Sequence, residues 1–120
     1  MNDTGLFSGI YEGIRDHADL LDRVLVQLKA GTSVVGNDER QRLAAWLTAL
    51  DDEQTTDYSA RMIQLMLRSQ RPRLQGGWAE VSASLSAGAV NAAVIGRLEE
   101  LARALEREQA AALARLRGDT

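Results

Sequence analysis

The chain has no cysteine, one histidine, one proline and a single lysine beside thirteen arginines. Without cysteine there is no disulfide, no thiolate metal site and no cysteine nucleophile. His17 alone excludes any site built from two imidazoles. Aromatic residues make up 4% of the chain, too few for a stacking platform. No apolar run approaches the roughly 18 residues that a membrane-spanning helix needs. The start lacks the basic, apolar, small-residue order of a secretory signal, so the expected location is the cytoplasm. The arginine bias points to a GC-rich bacterial genome and says nothing about mechanism.

What is present is alanine, leucine and charge. The 120 residues are 45% apolar and 26% charged, with a formal net charge of -3. That is enough for one packed core, and residues 1–120 read as a single domain. Alanine and leucine have the best helix propensities, and no run of alternating β-branched or aromatic residues offers a strand. The expected fold is all-α: an elongated antiparallel bundle of four to five helices with long first and last helices.

The first helix is expected from Thr4 to Lys29. Phe7, Ile10, Ile14, His17, Leu21, Val24 and Leu28 form a heptad seam with one polar entry. Arg15–Asp19 and Asp19–Arg23 have the spacing of pairs across a turn, and Gly31 is the expected stop. A second helix is expected to open at Asn37 or Asp38, with Gln41 completing a capping box. Its apolar face is Leu43, Trp46, Leu47 and Leu50. Asp51 to Thr56 favours a break, after which Tyr58, Met62, Leu65 and Met66 make the next face, with Ile63 on its flank. Pro72 and the Gly76-Gly77 pair mark the clearest boundary. Beyond it, Trp78 to Gly96 reads as helical and rich in small residues. A last helix over 89–117 carries Ile95, Leu98, Ala102, Leu105, Gln109, Ala112 and Leu116. At 1.5 Å per residue the first and last helices measure about 40 and 43 Å.

Two small-residue stripes stand out. Gly5, Gly9 and Gly13 recur every four residues, as do Ser84, Gly88, Ala92 and Gly96. Interior helix glycines cost about 0.5–1 kcal/mol each, and this spacing suits close helix–helix packing. The six positions Gly5, Gly9, Gly13, Gly88, Ala92 and Gly96 are therefore expected to pack helices together, within the chain or between copies. The glycine-rich start also invites a membrane-active reading, but the acidic residues that follow oppose attraction to anionic lipid.

Charge is divided unevenly: residues 1–60 sum to -6 and residues 61–120 to +3. Arg61, Arg68, Arg71 and Arg73 lie in a stretch with no acidic residue. They would suit the phosphates of a nucleic acid or an acidic partner. Arg68, Arg71, Arg73 and the adjacent Trp78 are the expected partner-binding residues, since Trp and Arg are enriched where binding energy concentrates. The bulky Trp78 and Trp46 also read as core anchors.

Chemistry finds little footing. His17 lies on the seam and is expected in the core; a phosphoryl-accepting histidine would be exposed and followed by Lys-Gly, where this chain has Ala18-Asp19. A pH-responsive seam is a third reading. Asp51, Asp52, Glu53 and Asp57 lack the alternation and central glycine of a calcium loop. They read as helix caps. Glu99, Glu100, Glu106 and Glu108 lack the Glu-x-x-His partners of a di-iron bundle, and Glu99–Arg103 reads as a surface pair. There is no phosphate-binding glycine loop and no nucleophile elbow. No cofactor, metal or catalytic residue is expected. The sequence points to a non-catalytic protein–protein interaction module such as an adaptor, scaffold, chaperone or regulator. Its expected partners are a copy of itself and another protein. The alternative is a small nucleic-acid-binding or transcription-regulating protein using Arg61–Arg73.

Overall fold

A computed structural model describes residues 3–30 and 37–118, with no account of the side chains at 3–11, 37, 70, 112, 115 and 116. Among the described residues the chain is all-helical, as its composition implied. The order is α1 (Asp3–Lys29), α2 (Asn37–Asp51), α3 (Tyr58–Gln70), a 3-10 turn (Pro72–Leu74), α4 (Trp78–Ala87) and α5 (Ala92–Leu116). The packing at Gly5, Phe7, Gly9 and Ile10 is among the side-chain features not described, and the expected stop at Gly31 lies outside the described residues.

α1 and α5 are 27 and 25 residues long and pack along each other, while α2 packs chiefly on α4. Lys29 reaches Glu99 at 2.9 Å, and Asp22, two turns earlier in α1, lies near Glu106, two turns later in α5. The two helices therefore run antiparallel. Ile14, Leu21 and Val24 of α1 and Leu98, Leu101 and Leu105 of α5 belong to one buried cluster that also takes Leu43, Leu47, Ile63, Leu67 and Leu85. The radius of gyration is 14.6 Å and the extents are 47 × 28 × 23 Å. A domain of this length is expected near 13.6 Å (roughly 2.2·N^0.38), so the shape is closer to a globule than to the elongated rod expected.

The break between α2 and α3 falls where the acidic run suggested, so residues 38–70 form two helices. Asp57 caps α3, its Oδ1 accepting the Ala60 N–H at 3.1 Å. Buried Gln64 donates to the carbonyls of Ala49 (2.9 Å) and Asp52 (2.7 Å), each of which also accepts a backbone N–H of the turn that follows α2. The apolar face of α3 is turned from the one expected. Ala60, Ile63, Met66 and Leu67 are buried, whereas Tyr58 is 57% and Leu65 41% exposed.

The stretch from Trp78 to Gly96 is not continuous. Gly88 adopts a left-handed φ of 74° and ends α4, its N–H bonding to Leu85 and Ser84 carbonyls. Asn91 then opens α5 by accepting the Val94 N–H at 3.0 Å. This stop interrupts the second small-residue stripe, which therefore does not lie along one continuous helix. Gly88 is a helix stop, Ala92 is exposed, and a Cβ on Gly96 would meet nothing within 4 Å among the described residues. Gly13 does sit at a close approach, since a Cβ there would come 3.1 Å from Ser59 Cβ of α3.

Local charge pairs were also reassigned. Arg23 bonds Glu39 at 2.6 Å and Arg15 bonds Asp16 at 3.5 Å, while Glu99 bonds Lys29 with the Arg103 charge also near it. Gln41 exchanges hydrogen bonds with Ser86 instead of closing a box with Asp38. In each case except Arg15, a partner on a neighbouring helix took the group expected to pair within its own.

Candidate functional site

The turn between α3 and α4 carries most of the chemistry. Arg71 ends α3, its N–H bonded to the Leu67 carbonyl at 2.8 Å, and Pro72 opens the 3-10 turn with its φ already set. Leu74 pins the turn into the core. Gly76 and Gly77 follow at φ 93° and 82°, two successive left-handed positions that side chains rarely adopt. They reverse the chain into Trp78.

Trp78 is fully buried. Its indole N–H donates to the Leu74 carbonyl at 2.7 Å, and the Arg97 guanidinium covers its ring, 4.4 Å from the centroid. Arg97 also donates to the carbonyls of Arg73 and Gly76. The tryptophan expected to meet a partner is instead an internal post that holds the turn. Its N–H is used and its face is covered.

The four arginines of the basic stretch part company. Arg61 turns inward to the Glu53 carbonyl (2.9 Å) and Gln64 Oε1 (3.3 Å). Arg68 is exposed and stands on the α2–α3 side of the turn. Arg71 and Arg73 line a depression of about 70 Å³ on the other side, together with Arg103, Arg107 and Glu100 of α5. Positions 100, 103, 104 and 107 share one helix face. Arg73, 80% exposed at its side chain, bonds Glu100 at 3.1 Å. Four arginines and one glutamate thus line the same depression. The sequence stretch supplied two of the arginines, and α5 supplied the other two across a gap of thirty residues that no local pattern reveals.

A second set of reactive side chains gathers at His17. The imidazole is half-buried and stacks on Trp46, with ring centroids 4.5 Å apart and planes 23° apart. Its Nδ1 lies 2.8 Å from the Gly13 carbonyl, which only accepts, so Nδ1 carries the proton in this arrangement. Ser59 Oγ lies 3.4 Å from the same nitrogen and donates to Asp57 Oδ1 at 2.9 Å. Histidine, serine and aspartate are together, but a serine nucleophile needs a free imidazole lone pair facing it. Here that nitrogen is committed elsewhere. The Asp57 carboxyl is held below its ordinary value: partial burial opposes ionisation, and the Ala60 N–H, the Ser59 hydroxyl and the nearby His17 charge outweigh it. The cluster is a helix cap with a histidine against it.

The acidic run acts as the capping reading implied. Asp51 Oδ2 accepts the Ala79 N–H at the start of α4 at 2.7 Å, and Asp52 accepts the Gln54 N–H at 2.9 Å. Among the described residues no group of three His, Asp or Glu side chains is placed to hold a metal ion, and no helix is long and apolar enough to cross a membrane. No protein-family model matches the chain, and neither a curated protein nor a solved structure is similar to it.

Proposed function

We propose that the protein is a non-catalytic helical interaction module that docks an acidic segment of a partner protein on the arginine face of α5 and the 71–74 turn. The observation that carries this reading is the convergence of Arg71, Arg73, Arg103 and Arg107 around a depression with a single carboxylate. Like charges gathered in this way repel one another, and an incoming carboxylate relieves the repulsion. The surrounding chain favours a protein over a nucleic acid. Its net charge is -3, and Trp78, the aromatic residue of the adjoining turn, is buried where no base could stack on it. The antiparallel course of α1 along α5 supports the finer reading of the fold as an antiparallel bundle. Because Ile14, Leu21 and Val24 of one seam and Leu98 and Leu105 of the other are buried in one core within the chain, they favour an external partner over a second copy.

The test is fluorescence anisotropy with a labelled acidic helical peptide and a labelled single-stranded DNA of equal charge, from low to high salt, alongside the solution mass by light scattering. The peptide should bind, weaken as salt rises, and lose at least tenfold in affinity with Arg103→Glu and Arg107→Glu combined. Tighter binding of the DNA, with a steep salt slope, would move the function to the nucleic-acid reading. A stable dimer that buries the arginine face would make the partner a second copy.

A further inference from the structure

On the α2 and α3 side of the same turn lies a cavity of about 220 Å³, separate from the arginine depression. Its walls include the buried Leu50, Leu67 and Trp78. Two of its lining residues carry opposite charge, Asp51 inside and Arg68 at the exposed mouth. Asp51 uses Oδ2 to cap α4, while its Oδ1 is buried and has no hydrogen-bond partner among the described residues. A buried carboxylate oxygen without a donor is among the costliest groups a fold retains. Arg68 has no ion-pair partner among the described residues, although it stands beside the acidic run.

From these features we infer a binding site for a small amino-carboxylic zwitterion with an apolar body, of the size and class of a free amino acid. The ammonium group donates to Asp51 Oδ1 after a small shift of that side chain, with the Glu53 carboxylate at the rim adding to the attraction. The carboxylate lies toward the Arg68 guanidinium, and the body lies against the Leu50 and Leu67 side of the cavity. A lone cation would meet Arg68, and a lone carboxylate would meet Asp51 and Glu53. Only a molecule bearing both charges is matched at both ends. The volume fits such a molecule, equalling the liquid share of about seven waters at roughly 30 Å³ each. Small-molecule sites take this form, an apolar floor with a few convergent polar groups. The inference does not depend on the arginine face.

The experiment is a titration of the ¹⁵N-labelled full chain with glycine, leucine, arginine and γ-aminobutyrate, with butyrate and butylamine as single-charge controls. At least one zwitterion should shift the amides of Arg68, Gly76 and Ala79 and the Trp78 indole saturably, while neither control does. Asp51→Asn keeps an oxygen for the Ala79 N–H and places an amide where the carboxylate was. Arg68→Gln changes only an exposed side chain and keeps the test valid if the first variant fails to fold. Each should weaken binding at least tenfold. Absence of saturable shifts with every zwitterion, equal shifts with butyrate or butylamine, or unchanged affinity in Arg68→Gln would overturn the assignment.

Discussion

The Arg97 guanidinium lies over the Trp78 ring, 4.4 Å from its centroid, and reaches past it to the Gly76 carbonyl. One side chain of α5 therefore holds the reversal that launches α4. Charge-assisted hydrogen bonds contribute about 1.5–3 kcal/mol and a cation over an aromatic face about 0.5–1 kcal/mol. Arg97→Ala should cost about 2 kcal/mol in urea unfolding. Arg97→Lys keeps the charge and loses the planar fork, so it should recover less than half of that loss.

Two of the helical glycines, Gly96 and Gly13, should respond oppositely to alanine. At Gly96 the added methyl meets open space, so Gly96→Ala should stabilise the chain by about 0.5–1 kcal/mol through helix propensity. At Gly13 the same methyl would come 3.1 Å from Ser59 Cβ, an atom fixed to the backbone of α3. Gly13→Ala should be destabilising in thermal melts, and a stabilisation equal to that at Gly96 would show that α1 and α3 are not in close contact.

Asp57 gives α3 an acid-sensitive start. Its carboxyl titrates below the ordinary value of 3.8 when folded, so its contribution is complete above that value and is lost as the pH falls through the folded one. Asp57→Ala should cost about 1 kcal/mol at neutral pH. Asp57→Asn should retain most of the cap and flatten the dependence of stability between about pH 5 and 2, which chemical denaturation across that range would measure.

Asp22 carries the opposite sign. Burial, then Asp19 and Glu106, push its carboxyl above the ordinary range. The ionised form is therefore disfavoured in the folded chain, a cost present at neutral pH that vanishes once the group is protonated in both states. Asp22→Asn should raise the melting temperature at pH 7 by an amount worth less than about 0.5 kcal/mol. The gain should disappear near pH 3.

The sequence made the core legible where the helical period is long. Ile14, Leu21 and Val24, and Leu98 and Leu105, were read as seams and are buried. The shorter α3 was misread because Met62 and Leu65 offered a second apolar stripe over its 13 residues, and only packing against α2 selects Ile63 and Leu67. The pause at Gly88 to Asn91 was written in a stop glycine and a capping asparagine, yet the small-residue spacing running through it suggested continuity. His17 was expected in the core and is half-buried, because Trp46 takes the interior place and leaves one imidazole face against it. The site was legible only in part. Arg71 and Arg73 stood out in a stretch free of acid, whereas Arg103 and Arg107 sit among glutamates and acquire meaning only when α5 folds back on the turn.

α4 is ten residues long, below the length at which an isolated helix persists in water, and beyond the buried Trp78, Val81 and Leu85 it is mostly alanine and serine. Its place is set by those three side chains together with polar rungs to α2. Asp51 holds Ala79 at one end, Ala44 and Thr48 meet Ser82 in the middle, and Gln41 meets Ser86 at the other. Sliding α4 by a single turn would break every rung at once. The hydroxyls and the carboxylate thus serve as an alignment scale, adding to the buried side chains of α4 in giving it one address along its neighbour.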